Sequence, residues 1–259
     1  MKETAWDKHW KKQQGIEVEN IIKNDPYFRL LKRLIGLQQN DGLRILEVGC
    51  GSGTRTLALL KDFEGKHFKA VFVDLSIPAL SFTKRTSYKY KITADFILAN
   101  GLRLPFPDEK FDIVWNEGVN EHFKDEERQK IFDEMARVCK KEGEVIVIVP
   151  NALNLPYRIT KKVLEMRNTW EYGFEKPYTV FELKRRMSAA GITTNKTSGT
   201  QIIASFLTFI QLVHSEALKL EIHKLNKILK GFDEYMEKAF GAFFSKDIGV
   251  KGVKNDNPK

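Results

Sequence analysis

The feature that most constrains the fold is an apolar run that ends in glycines. Residues 43–48 lead into Gly49-Cys50-Gly51-Ser52-Gly53, and a helix-forming stretch follows at 54–62. Glycine turns the backbone tightly and leaves no Cβ in the way of a close neighbour. The free amides at the start of the following helix favour a negatively charged group. Apolar runs recur at 70–73, 96–99, 113–115 and 144–149. The last is almost all β-branched and does not alternate, so both of its faces should be covered. Helical stretches at 78–90, with Ser76 as cap, and at 125–140 separate these runs. Strand alternating with helix predicts an α/β fold with a doubly wound, mostly parallel sheet and right-handed crossovers.

The flanks read differently. Trp6-Asp7-Lys8-His9-Trp10 is charged and aromatic. Asp25-Pro26 reads as an N-cap followed by Pro at the first helical position. Leu30, Leu31, Leu34 and Ile35 follow at helical spacing, and Asn40-Asp41-Gly42 is expected to end that helix. Beyond Pro150 the order loosens. Thr179-Val180-Phe181-Glu182 is a capping box, predicting a helix that stops at Gly191. Residues 202–240 read as one or two long helices, and 247–254 as a last edge strand, with a fraying tail beyond it. The expected division is an N-terminal helical cap (1–40), an α/β core (41–200 and 245–255) and a helical insert or lid (201–244).

About twenty residues past the glycines, the second strand ends in Asp74. Ligands of open α/β sheets lie beyond the strand C-termini, where this carboxylate can accept both hydroxyls of a ribose. A dinucleotide fingerprint would need glycine at position 54, which is Thr54. Glu47, an acid before the first glycine, is also foreign to that fingerprint and suits a ligand carrying an ammonium group. A tight turn alone would not account for Asp74.

The run Ile45-Leu46-Glu47-Val48-Gly49-Cys50-Gly51-Ser52-Gly53 resembles the first motif of class I S-adenosylmethionine-dependent methyltransferases. Val73-Asp74-Leu75-Ser76 resembles their second-strand acid motif. Leu104-Pro105-Phe106-Pro107-Asp108 and Phe111-Asp112-Ile113-Val114 resemble the approach to their fourth strand. Residues 116–122 look like the loop after it, and 137–143 like the turn into the fifth. The resemblance covers roughly residues 40 to 150, with the motifs in order and at family spacing.

The resemblance implies a seven-stranded Rossmann-like sheet, its last strand antiparallel at or near an edge, and S-adenosyl-L-methionine as cofactor. By matching position, Glu47 and Gly49, Gly51 and Gly53 face the methionine part. Asp74 holds the ribose, and Leu75 flanks the adenine. Asn100-Gly101 falls where the family has Asp and a small residue, so Asn100 accepts from the adenine amine through its amide oxygen, without charge. Asn116 lies where the fourth-strand backbone accepts from the methionine ammonium. An N-terminal helix carrying Trp6 and Trp10 would close over the cofactor, or simply pack on the domain.

The resemblance also bears on the acceptor. Methylation of nucleic-acid base amines goes with Asp/Asn-Pro-Pro-Tyr/Phe after the fourth strand, where this chain has Asn116-Glu117-Gly118-Val119. Methylation of cytosine carbon needs a cysteine there, and neither Cys50 nor Cys139 fits. Nucleic acid is therefore not expected, despite 43 Lys and Arg against 34 Asp and Glu, a net charge of +9. The layout, including 151–191, resembles the branch of quinone-biosynthesis and related small-molecule methyltransferases, so a small-molecule acceptor is expected, an apolar one if residues 202–240 form a lid over it. The alternatives are an RNA- or protein-modifying methyltransferase and a non-catalytic binding module. If the nucleophile must lose a proton, His122 is the candidate base; its other reading is packing or capping of the next helix. Glu121 reads as structural or solvent-facing. Tyr157, Arg158, Trp170, Tyr172 and Tyr178 lie where the acceptor pocket is usually built, although each alone reads more readily as packing than as recognition. No metal ligands are read from the sequence.

Both cysteines fall in predicted core elements, which excludes a disulfide framework and fits a reducing, cytoplasmic setting. Met1-Lys2-Glu3-Thr4 opens no signal-peptide-like apolar stretch. The longest apolar stretch, 202–213, is broken by Ser205, Thr208 and Gln211 and is too short to span a bilayer. It could touch a membrane surface through Ile202, Phe206, Phe209 and Ile210. Burial of this helix against the domain or a second copy is the preferred reading.

Overall fold

The computed structural model describes residues 5–255 apart from 14, 16, 36–41, 64, 66, 125, 214–228, 230, 238 and 239. In chain order its elements are α1 (Ala5–Lys12), α2 (Val18–Asn24), α3 (Pro26–Leu34), β1 (Arg44–Val48), α4 (Thr54–Asp62), β2 (Lys69–Asp74), α5 (Ile77–Lys89), β3 (Ala94–Leu98), β4 (Phe111–Glu117), α6 (Glu127–Val138), β5 (Cys139–Pro150), α7 (Leu155–Met166), α8 (Val180–Ala189), β6 (Ile192–Thr200), α9 (Ile202–Val213) and β7 (Asp247–Lys254). The strands form one sheet in the order β3-β2-β1-β4-β5-β7-β6. Pairing is parallel from β3 across to β5, and β7 is antiparallel to both β5 and β6. This is the Rossmann-like, doubly wound arrangement.

Side-chain alternation along each strand divides the core in two. On β5, Val145, Val147 and Val149 face α6 (Ile131, Phe132, Met135) and α8 (Leu183, Met187). Ile146 and Ile148 face the other way, onto α3 (Leu30, Leu31, Leu34) and α4 (Leu57, Ala58). A strand covered on both sides reads as an unbroken apolar run, which is why 144–149 lacks alternation. Each fully buried Val, Leu or Ile is worth about 1.5–3 kcal/mol. The helices begin where their caps dictate. Asp25 accepts from the Phe28 amide at 2.6 Å with Pro26 at the first position. Ser76 accepts from Ala79 at 3.4 Å and Thr179 from Glu182 at 3.1 Å.

Several expectations are corrected. α3 ends at Leu34, with Ile35 already extended; Asn40 and Asp41 lie outside the described residues. α6 begins at Glu127, and Asp125 also lies outside them. α6 stops at Val138 because Cys139 already pairs with Phe111; β5 then bulges and resumes with Glu144 opposite Ile113. β7 is not the edge strand: it is inserted between β5 and β6, and β6 takes the edge. A Cβ on its Gly249 would lie 2.5 Å from the Leu34 side chain, so α3 presses directly onto this strand. In α9, Ile202 is only 4% exposed, so it is turned inward rather than toward a membrane, whereas Phe206 is 51% exposed. Residues 231–237 and 240–244 of the insert are also helical, while 214–228 and the tail 256–259 lie outside the described residues. No described helix is long and apolar enough to cross a membrane. Cys50 and Cys139 are buried free thiols.

Candidate active site

β1 and β2 are neighbours, with Val48 opposite Val73, so the glycine turn and Asp74 meet at adjacent strand ends. The Gly49 and Cys50 amides donate to the Val73 carbonyl at 2.8 and 2.9 Å. The Gly51 amide donates to Asp74 Oδ2 at 2.8 Å, and the Ser76 amide to Asp74 Oδ1 at 2.8 Å. Each carboxylate oxygen keeps further acceptor capacity. Burial raises the Asp74 pKa, while the amides of Ser76 and Gly51 oppose that shift. Gly51 has φ +52°, and a Cβ there would lie 2.3 Å from the Trp10 ring. Gly49 has φ +69° and lies against Val119. Gly53 caps α4 without a side-chain hydrogen bond.

Glu47 points into the same region from β1. The Trp115 indole donates to Thr56 Oγ1 at 3.0 Å, and Thr56 in turn hydrogen-bonds the Glu47 carboxylate. The other oxygen, Oε2, is buried without a partner. Burial pushes the Glu47 pKa up to about 8, and the nearby Glu117 and Asp74 carboxylates add to the shift. Leu75 is 65% exposed beside Asp74. The Asn100 amide oxygen accepts from the Leu102 amide at 2.9 Å. A Cβ on Gly101 would lie 2.9 Å from Ile131, so backbone approaches closely there. Asn116 is fully buried; its amide nitrogen donates to Asn120 Oδ1 at 2.6 Å, and its own Oδ1 has no partner.

His122 sits in a single 3₁₀ turn, Asn120–His122, after β4. Its Nδ1 lies 2.7 Å from the Phe174 carbonyl. A carbonyl only accepts, so this contact assigns the proton to Nδ1 and leaves a lone pair on Nε2. Burial lowers the His122 pKa. Helix α1 joins this group to the glycine turn: Trp6 lies edge-on to His122 with centroids 5.0 Å apart. Trp10 covers Gly51, and Asp7 accepts from Ser76 Oγ at 2.7 Å.

Burial decides between the readings left open for several other residues. Glu121 is only 2% exposed, so it does not face solvent. Tyr178 belongs to the core: it is fully buried, donates to the Asn120 carbonyl at 3.2 Å and stacks under Arg128 at 3.7 Å. Trp170 donates to the Gly173 carbonyl at 3.0 Å, and its ring lies 5.2 Å from that of Tyr172. Sequence reasoning missed Glu117, which ends β4 and pairs with Arg55 at 3.1 Å; Arg55 also holds Asp25 at 3.0 Å. Burial pushes Glu117 up to about 7 against the pull of Arg55. Tyr27 donates to Asp247 at 2.7 Å, and Tyr157 to Glu175. These contacts join residues far apart in the chain, and no local motif marks them.

Residues 45–143 match the methyltransferase domain family. The segment so matched is less than half of the chain, and the fold around it is that of solved S-adenosylmethionine-dependent methyltransferases. It is 30% identical over 142 residues to an uncharacterized protein of Methanocaldococcus jannaschii, covering 52% of this chain and 56% of that one. It is 28% identical over 165 residues to the ubiquinone biosynthesis O-methyltransferase of Chelativorans sp., covering 61% and 62%. The match thus spans less than two thirds of these relatives' own lengths. A solved S-adenosylmethionine-dependent methyltransferase of Thermotoga maritima shares the fold, with TM-score 0.61 over 92% of this chain and 91% of that one, at 15% identity. The family's cofactor is S-adenosyl-L-methionine, and the donor set fits it. Glu47 Oε2 is a buried acceptor suited to an ammonium, Asp74 has acceptor capacity for a diol, and the glycines leave room for close approach.

Proposed function

We propose that the chain transfers a methyl group from S-adenosyl-L-methionine to a small acceptor by direct displacement. The observation that carries this reading is the junction of Asp74 with the Gly51 amide beside the unpaired Glu47 carboxylate. Neighbouring strands thereby offer one acid to a ribose and another to an ammonium. When bound, the cofactor supplies an already electrophilic methyl group. The chain's task is to align the acceptor and exclude water, and orientation alone contributes up to roughly 7–11 kcal/mol in favourable systems.

In this reading Glu47, Gly49, Gly51 and Gly53 serve the methionine part, Asp74 the ribose and Leu75 the adenine face. Asn100 shares its amide oxygen between Leu102 and the adenine amine, with Gly101 beside it. The Asn116 backbone receives the methionine ammonium. His122 takes the proton of an acidic nucleophile at Nε2. Residues 1–40 form a cap, 41–200 and 245–255 the core, and 201–244 the insert. A small-molecule acceptor is supported by relatives named for ubiquinone biosynthesis and for 27-O-demethylrifamycin SV. The buried free thiols fit a cytoplasmic setting, and Phe206, Phe209 and Ile210 remain candidates for peripheral membrane contact. The net charge of +9 favours the second reading, modification of RNA. Incubation with methyl-labelled cofactor and cell extract, split into RNA, protein and small-molecule fractions, tests the choice. Label is expected in the small-molecule fraction, and label confined to RNA overturns it.

A further inference from the structure

The proposed base stands on a short support. His122 ends the three-residue turn Asn120–His122, and a 3₁₀ turn has poor internal hydrogen-bond geometry. Residues 174–178 form a strap beside it and meet each of its residues once. The Phe174 carbonyl faces His122 Nδ1 at 2.7 Å, the Lys176 amide donates to the Glu121 carbonyl at 2.9 Å, and the Tyr178 hydroxyl donates to the Asn120 carbonyl at 3.2 Å. Strap and turn thus run in opposite chain directions. The Tyr178 end is tied to β5, because the Tyr178 amide donates to the Pro150 carbonyl at 3.0 Å. On another side, Tyr157 and Lys161 of α7 hold Glu175. The Phe174 end is exposed.

From α6 one side chain reaches the strap at two places. Arg128 Nη1 donates to the Lys176 carbonyl at 2.9 Å, and the guanidinium lies 3.7 Å from the centroid of the Tyr178 ring. Its Nη2 donates to Glu182 Oε1 at 3.1 Å. Arg128 is fully buried, and its Nε has no partner. Such a group is costly to desolvate, and a buried ion pair is weak evidence for stability because that cost offsets the attraction. Glu182 does not depend on Arg128 for a counter-charge, since Arg186 Nε donates to the same oxygen at 3.0 Å. What Arg128 adds is a rigid fork that joins the Lys176 carbonyl to α8 across the face of Tyr178.

We infer that Arg128 is a positioning residue for His122: through Lys176 and Tyr178 it holds the Phe174 carbonyl opposite Nδ1 and so keeps the lone pair on Nε2. The inference rests on the proposed transfer, in which Nε2 takes the proton, and names a residue that prepares it. A neutral imidazole carries its proton on one nitrogen, and the hydrogen bond made there decides which. A displacement of the strap by about 1 Å would stretch the 2.7 Å contact beyond hydrogen-bond range and free the ring to exchange tautomers.

The test is long-range proton–nitrogen NMR on the full chain labelled with ¹⁵N, at about pH 8, where histidine is neutral. His122→Asn identifies the His122 signals among those of five histidines. The parent should carry the His122 proton on Nδ1. Arg128→Met should give a mixture with the proton on Nε2, and Arg128→Lys, which keeps the charge but not the fork, should shift the mixture less. Calorimetry should show affinity for S-adenosylhomocysteine within about twofold of the parent in both variants, while transfer of labelled methyl to the small-molecule fraction of cell extract falls roughly tenfold to a hundredfold in Arg128→Met. Should Arg128→Met fail to fold in thermal melts, Arg128→Lys carries the test. A proton on Nε2 in the parent, or an unchanged tautomer in every folded variant, overturns the inference. Transfer by His122→Asn at the parent's rate would instead overturn the base role of His122 and leave the tautomer result standing.

Discussion

The Gly51 amide and the Asp74 carboxylate are joined at 2.8 Å across the ends of β1 and β2. The acid proposed to hold the ribose is therefore also the clamp on the glycine turn. Asp74→Asn keeps the shape and one acceptor oxygen but removes the charge. A hydrogen bond to a charged group contributes about 1.5–3 kcal/mol, so affinity for S-adenosyl-L-methionine should fall roughly tenfold to a hundredfold. Calorimetry on parent and variant checks this, and equal affinity would refute the role assigned to Asp74.

Gly51 tolerates no side chain for two separable reasons. Its φ of +52° is strained for other residues, and a Cβ would meet Trp10 at 2.3 Å. The backbone part alone costs about 1–3 kcal/mol. Gly51→Ala should therefore lower the melting temperature, and adding Trp10→Ala should relieve the clash but leave the backbone cost. If the double variant melts no higher than expected from summing the two single changes, α1 does not rest on the glycine turn.

Buried acids give the ligand-free protein a definite pH response. Burial pushes Glu47 to about 8 and Glu117 to about 7, both above the ordinary 4.5. A carboxyl with a raised folded pKa stabilises the fold fully below its unfolded pKa, and that contribution is lost as pH rises through the folded value. Thermal stability should thus decline as pH climbs from about 5 toward about 9. Glu47→Gln and Glu117→Gln should each flatten the decline, and S-adenosylhomocysteine, whose ammonium is proposed to meet Glu47, should reduce it in the parent. A decline that is the same in both variants would locate its cause elsewhere.

His122 should act as a base only when Nε2 is unprotonated. Burial lowers its pKa below the usual 6.5, with the Phe174 carbonyl opposing. The acid limb of kcat/KM should therefore lie below 6.5, with a plateau above it. His122→Asn should abolish that limb and slow transfer by about 10²–10⁴-fold. A pH–rate profile of unchanged shape and height in the variant would return His122 to a packing role.

Much of the scaffold was legible because its determinants are local. The Asp25, Ser76 and Thr179 caps each satisfy an amide three residues away. The apolar runs became strands because covered strands need no alternation. Asp74 followed from its position at the end of the second strand. The end of α3 and the start of β5 were misjudged, because Ile35 and Cys139 have apolar side chains that suit helix or strand alike, and tertiary pairing decided between them.

By itself, the sequence determined a glycine turn, an acid on the next strand and the alternation that makes a doubly wound sheet, because each depends on residues close together in the chain. Only the tertiary structure decided that β7 slips between β5 and β6, that Trp10 covers Gly51, and that Glu121 is buried. Strand order and burial follow from which distant surfaces exclude water together, and a carboxylate's charge state follows from its burial and from neighbours far away in the chain.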